Sequence, residues 1–241
     1  MAIAVVGGGC ANLPERVTDA AADSIRQPGV WMPLAGAAVL QFDDWDHRTS
    51  AWARARTPLF GSQASADQWS DRLRAFPAVV EVVSVLATPG GDDFGEWVTQ
   101  KVELGAVDIA AVGSSMLVAR GLKTQTARLR PNRADRESFP SGHAVSAAAN
   151  ARVAALNLEN APWSPGATRA LDWALDVTVF GTGWARVESG WHYPSDSLVG
   201  IAAGNFFAAV VHRSLLRSEA LRDVSVVPER GGAQLRMSWA F

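Results

Sequence analysis

The chain reads as an all-α protein, on three observations. Apolar residues recur at helical spacing through most of its 241 residues, the pattern of helices that bury one stripe. Proline and glycine stand at most boundaries between these stretches, where helices stop and start. Only the tail from residue 223 has the β-branched, alternating character of strands. No internal repeat, low-complexity tract or linker interrupts the pattern. The expected organisation is one helical domain over residues 13–222, with 1–12 before it and a short C-terminal hairpin over 223–241 packed on it.

The elements follow in order. Residues 14–26 form an amphipathic helix ended by Gln27-Pro28. The uncharged run 27–42 contains Pro28, Gly29 and Pro33 and is expected to be a buried core segment. Residues 45–56 follow the acidic start FDDWD and stop before Pro58. Residues 64–76 and 78–87 are expected as two helices parted by Pro77. After TPGGDD, residues 94–123 make one long helix or two abutting ones, with Gly105 and Gly113 inside. Residues 144–158, 167–180 and 195–221 complete the helices. In the tail, VSVVPERGGAQLRMSWAF, a Gly-Gly turn separates two β-rich halves, and Ala233, Leu235, Met237, Trp239 and Phe241 share a face.

Composition narrows the function. A net charge of −2 gives no electrostatic case for nucleic acid. Mean hydropathy of +0.04 with 48% hydrophobic residues fits a soluble or peripheral protein better than a multi-span one. The longest uncharged runs, 27–42 and 197–212, have 16 residues each, short of the roughly 18 needed to cross a bilayer. Cys10 is the single cysteine, so no intrachain disulfide forms. It sits in MAIAVVGGGCANL, a short apolar run, small residues, then cysteine, which is the end pattern of a bacterial lipoprotein signal. The positive leading region is missing, and Gly7 stands where leucine is usual. The alternative is an N-terminus without meaning. A lipidated Cys10 would put the domain on the periplasmic side of a bacterial envelope, held to the membrane by an anchor.

Three stretches carry chemistry. Pro140-Ser141-Gly142-His143 opens the helix of residues 144–158. Ser141 and Gly142 are ordinary there as a cap and a turn. The same N-terminus also offers free N–H groups and a positive dipole to an anion, with His143 beside it. Upstream, in LKTQTARLRP, Lys123 and Arg130 share a face if the helix continues, and Pro131 ends it; a solvated basic helix end is the bland alternative. Downstream, in GWARVESGWHYPSDSLVG, Arg186 precedes His192 by six residues and Asp196 follows it by four. Pro194 suits a first helical turn. Asp196 can then reach one imidazole nitrogen, or merely cap the helix beside a structural histidine.

Taken together, Lys-x6-Arg-Pro, Pro-Ser-Gly-His and Arg-x5-His-x3-Asp resemble the three-part signature of the type 2 phosphatidate phosphatase and vanadium haloperoxidase superfamily. The resemblance implies an acid phosphatase/vanadium haloperoxidase-like helical bundle. It implies His192 as nucleophile, Asp196 as the group orienting it, and His143 as general acid and then base. Lys123, Arg130 and Arg186, with Ser141 and the Gly142 N–H, would hold the phosphate. No metal is implied. Vanadate is implied as an inhibitor, or as the cofactor of a haloperoxidase. One departure is Ala185, where the superfamily usually has serine before the arginine.

The leading expectation is a metal-independent phosphomonoesterase acting on lipid phosphates or pyrophosphates through a phosphohistidine. Its alternatives are a broad soluble acid phosphatase and a vanadate-dependent haloperoxidase, although haloperoxidases of the superfamily are usually much longer. A retired, non-enzymatic envelope scaffold is opposed by the intact motif residues. The remaining singular residues carry weaker expectations. Asp43, Asp44, Asp46 and His47 are read as a capped, solvated helix start before a metal site, and His212 as a surface residue. Trp184 and Trp191 are read as core packing before pocket wall.

Overall fold

A computed structural model describes residues 13–216 except 92, 160 and 162, and the backbone of 224–229 and 232–237. Among the described residues the helices are α1 (Leu13–Ile25), α2 (Pro28–Val39), α3 (Trp45–Arg56), α4 (Gln63–Ala87), α5 (Phe94–Thr126), α6 (Gly142–Asn157), α7 (Pro165–Glu188) and α8 (Pro194–Leu216). A 3-10 turn, Phe42–Asp44, leads into α3. The fold is an all-helical bundle. Past α8, β1 (Val224–Glu229) pairs antiparallel with β2 (Gly232–Met237). The side chains expected to pack this segment on the bundle lie outside those described, as does Cys10 with the whole of residues 1–12.

Helix α6 is the axis, packed by α4, α5, α7 and α8. Its face is built of alanine: Ala144, Ala147, Ala148, Ala149 and Ala154 have no exposure. Small side chains let neighbouring helices approach closely. The closest approach is α8, through glycines one turn apart. A Cβ at Gly200 would lie 2.7 Å from the Ser141 carbonyl oxygen, and one at Gly204 would lie 2.4 Å from that of Val145. Larger residues fill the gaps around this seam, with Leu175 and Val179 from α7 and Ile201 from α8 meeting the alanine face.

Local sequence explains the helix starts. The side chains of Ser62, Asp93, Ser141 and Ser164 each accept a backbone N–H of the first turn. Two expected breaks are absent. Helix α4 runs unbroken through Pro77, whose side chain is fully buried. The contacts of both halves with α6 and α7 outweigh the one backbone hydrogen bond that proline removes. Helix α7 extends past the expected end at 180 to Glu188. Gly181 and Gly183 serve close approach there: a Cβ on them would meet Leu73 at 3.1 Å and Ser197 at 3.3 Å.

Two expectations about burial are corrected. Helix α2 is not a buried core segment, because Trp31, Met32, Leu34 and Val39 are exposed and only Val30, Pro33 and Ala37 face inward. His212 is not a surface residue. Its Nε2 donates to Asn157 Oδ1 at 2.9 Å, and Asn157 Nδ2 donates to Asp108 Oδ2 at 2.7 Å and to Ser84 Oγ at 2.9 Å. One polar network thereby ties α4, α5, α6 and α8 inside the bundle.

Many large apolar side chains lie outside. Ile109 is 76% exposed, Leu117 68% and Trp173 71%. The expectation that nothing reaches spanning length is also corrected. Helices α5 and α8 are long and apolar enough to cross a membrane by length and composition. Counting only unbroken uncharged runs was too strict, since isolated charges on an inward face do not stop a helix from spanning. Half of the apolar window of α8 is buried within the bundle itself.

Candidate active site

The motif residues gather at one end of the bundle. Antiparallel packing brings there the N-termini of α4, α6 and α8 and the C-termini of α5 and α7. The loops 127–141 and 189–193 complete the end. Trp191 N and His192 N both donate to the Arg186 carbonyl oxygen, which folds the second loop back on α7. Gly190 turns it with φ +79°, in the left-handed region.

His192 is buried. Its Nδ1 donates to the Ser138 carbonyl oxygen at 2.5 Å, and its Nε2 stands 3.5 Å from Arg130 Nη1. That arrangement protonates Nδ1 and leaves the Nε2 lone pair facing the cations. The imidazole is held well below its usual pKa, by burial first and then by Lys123, Arg186 and Arg130.

Asp196 is fully buried but makes no direct hydrogen bond to His192. Its Oδ2 lies 3.9 Å from Nδ1 and instead accepts from Ser138 Oγ at 2.5 Å and Tyr193 N at 2.9 Å. The expected direct contact is thus replaced by a two-step link. Asp196 holds Ser138, and the Ser138 backbone holds the imidazole. The cause is Arg128, which takes Asp196 Oδ1 at 2.6 Å and turns the carboxylate away.

The cations sit on three elements. Lys123 Nζ donates to the Glu137 carbonyl oxygen at 2.6 Å. Arg130 donates through Nε to Asp135 Oδ1 at 2.5 Å. Arg186 pairs with Asp67 and donates to Ser70 Oγ at 3.2 Å, and its buried Nε has no partner among the described residues. Both guanidinium groups lie over the Trp191 ring, at 4.9 Å and 5.2 Å. Trp191 is therefore the floor of the cradle, beyond the packing role expected of it. Ser141 caps α6 through its Oγ, and its N–H donates to the Asp196 carbonyl oxygen at 3.0 Å. Gly142 faces open space, with only Met116 Cε at 3.9 Å from a built Cβ. Ala185 is fully buried.

His143 Nε2 is 3.0 Å from Asp71 Oδ1. Its pKa is pushed down to about 4, by burial first and then by Arg186, against the raising effect of Asp71. Asp71 is itself held below its usual range, chiefly by this hydrogen bond.

Sequence reasoning missed several of these residues. Asp67 and Asp71 are one turn apart on α4, and their only signal is that spacing. Asp46 was read with a solvated helix start, but it is 2% exposed and accepts from Arg128 at 2.7 Å and from Ser195 N at 2.8 Å. Its neighbours behave differently: Asp43 pairs with Arg48 and Asp44 with His47. Among the described residues no group of three or more acidic, histidine or cysteine side chains is placed to hold a metal. Trp184 donates to Glu188 Oε1 at 2.5 Å, and Glu188 takes the N–H groups of Leu59 and Phe60, fixing the loop before α4.

Comparison with known proteins agrees with this geometry. No curated protein sequence gives a significant match. The structure resembles the crystal structure of the first transmembrane PAP2 type phosphatidylglycerolphosphate phosphatase from Bacillus subtilis. The TM-score is 0.54 with 21% identity, over 75% of this chain and 90% of that one. Residues 106–219, which hold the cradle and both histidines, match the model of the PAP2 superfamily. With the three motifs assembled at one bundle end, the chain carries a PAP2 superfamily domain.

Proposed function

We propose that this phosphatase hydrolyses phosphate monoesters of membrane lipids, or lipid pyrophosphates, through a phosphohistidine at His192. The observation that carries the reading is the buried imidazole. Its Nδ1 proton is committed to Ser138 and its Nε2 lone pair faces the cationic cradle. Nε2 attacks phosphorus, the bond from phosphorus to the ester oxygen breaks, and the leaving oxygen takes a proton from His143. Water then attacks the phosphohistidine. It returns a proton to His143, and the N–P bond breaks to release phosphate. Lys123, Arg130 and Arg186 stabilise the charge on the three equatorial oxygens, so the scheme needs no metal. In the empty cradle His143 is neutral near pH 7. A bound phosphate dianion offsets the Arg186 charge and restores the proton that the first step requires.

A lipid substrate is supported by the apolar outer surface, by the spanning length of α5 and α8, and by the lipid phosphatase among the similar structures. We place the cradle at the membrane surface, on the periplasmic side, where an anchor at Cys10 would add to the hold of the helices. The test is rapid quench with labelled phosphatidate. An acid-labile, alkali-stable phosphohistidine is expected in the parent enzyme and absent from His192→Ala, together with competitive inhibition by vanadate. Undiminished turnover by His192→Ala would end the mechanism.

A further inference from the structure

A large cavity in the described structure lies away from the cradle. It measures about 850 Å³ and lies on the flank of the bundle, between α2, α6, α7 and α8. Much of its wall is apolar: Met32 and Pro33 of α2, Leu175, Val179 and Phe180 of α7, and Ile201 of α8. The same cavity is lined by five ionic side chains, Arg152, Glu159, Asp172, Asp176 and Arg213. Among the described residues none of the five makes a side-chain hydrogen bond or ion pair, and the buried Arg152 Nε lacks any partner. Glu159, Asp172 and Asp176 are exposed and Arg213 is half-buried, so the cost of leaving charge unpaired against apolar surface falls on Arg152. A ligand phosphate at Arg152 and Arg213 offsets that cost, and the exposed carboxylates across the cavity are open to a cation.

We propose that this cavity binds one zwitterionic phospholipid, its phosphate at Arg152 and Arg213 and its ammonium at Asp172 and Asp176. Charge complementarity selects the occupant. Two arginines on adjacent helices, α6 and α8, suit a phosphate. Asp172 and Asp176 are one turn apart on α7 and share a face, with the exposed Trp173 ring beside them for an ammonium. An anionic lipid would set its net charge against three carboxylates, and a free phosphate would leave the apolar wall bare. The acyl chains would leave sideways past Met32 and Phe180, which are 55% and 48% exposed. This lipid is not the substrate. At 1.5 Å per residue, Asp196 and Arg213 stand roughly 25 Å apart along α8. The proposal goes beyond the hydrolytic reaction and does not depend on it.

Native mass spectrometry tests it, on protein equilibrated with mixed micelles holding equal dioleoyl phosphatidylethanolamine and dioleoyl phosphatidylglycerol. One phosphatidylethanolamine should be retained per chain, with a preference of about tenfold. The double variant Arg152→Gln/Arg213→Gln should lose it. The isosteric pair Asp172→Asn/Asp176→Asn should swing the preference toward phosphatidylglycerol. Equal retention of both lipids by the parent protein, or of neither, overturns the proposal. So does an unaltered preference in the aspartate variant. Loss on Arg130→Gln but not on the arginine double variant would place the lipid in the cradle, and would overturn it equally.

Discussion

Asp71 and Arg128 act on the histidines without being part of the motifs. Asp71 opposes the burial and the Arg186 charge that strip His143 of its proton. In Asp71→Asn the His143 pKa should therefore fall further. Because kcat/KM reports the free enzyme, its alkaline limb should move toward acid, with activity at neutral pH reduced roughly tenfold. Asp71→Glu should recover part of it. An alkaline limb that stays in place would show that Asp71 does not act through His143. Arg128 joins two buried carboxylates, Asp46 and Asp196, and lies 4.2 Å over the Tyr193 ring. Arg128→Gln leaves both without their cation, so thermal unfolding should show a loss of about 3–5 kcal/mol. A change below 1 kcal/mol would mean the pair of bridges is solvent-compensated. At this scale the motif residues stood out in the sequence by type and spacing, and the structure brings them together at one end of the bundle. Asp67, Asp71 and Asp46 did not stand out. They reach the cradle from α3 and α4, up to 149 residues from their partners, and single carboxylates on a helix carry no mark of what they will face.

The elements are positioned by how closely their backbones approach. The seam of α6 and α8 depends on Gly200 and Gly204, and it sets Ser141 against Asp196 at the cradle end. A methyl at Gly204 would stand 2.4 Å from the Val145 carbonyl oxygen and 2.9 Å from Ala148 Cβ. Backbone cannot rotate away as a side chain can, so α8 would be pushed off α6. Gly204→Ala should cost about 1–3 kcal/mol and lower activity through the displaced Asp196. Gly142→Ala, at a site with open space, should leave thermal stability within about 0.5 kcal/mol. Equal melting temperatures for the two variants would contradict the seam. Helix type was readable from periodicity and from the serine and aspartate caps. Helix lengths were not. Pro77, Gly181 and Gly183 look like stops in isolation, and only the neighbouring helices make continuation favourable there. The burial of α2 and His212 was misread for a related reason. Apolar content does not say whether a helix faces a core or an apolar surround, and His212 owes its place to Asn157 and Asp108 on other helices.

For the whole molecule, the bundle stores neutral imidazole at its functional end, which ties stability to pH. Burial and neighbouring cations depress His192 well below its usual range and His143 to about 4. Unfolded, both would titrate near pH 6.5. Above that value neither state is protonated and the histidines add no pH dependence. As pH falls below it, the unfolded chain takes up protons that the folded chain refuses, so folding weakens. Each histidine contributes a slope of at most about 1.4 kcal/mol per pH unit. For His143 the loss runs from about 6.5 to about 4 and then levels off, while for His192 it continues further into acid. The melting temperature should therefore be flat from pH 8 to 7 and fall steadily toward pH 5. His212, depressed to about 4 by burial and nearby arginines, adds a third slope of the same sign, while Asp108, raised to about 7 by burial, adds one of opposite sign. His143→Asn removes one histidine slope and should make the curve shallower between pH 6.5 and 4 without altering its plateau. Phosphate or vanadate in the cradle should also flatten it, by masking the cations that depress both rings. A pH dependence of melting that is the same in His192→Asn as in the parent would mean that His192 is already charged in the fold. Protonated His192 has no lone pair at Nε2, so the same result would remove the nucleophile from the proposed reaction.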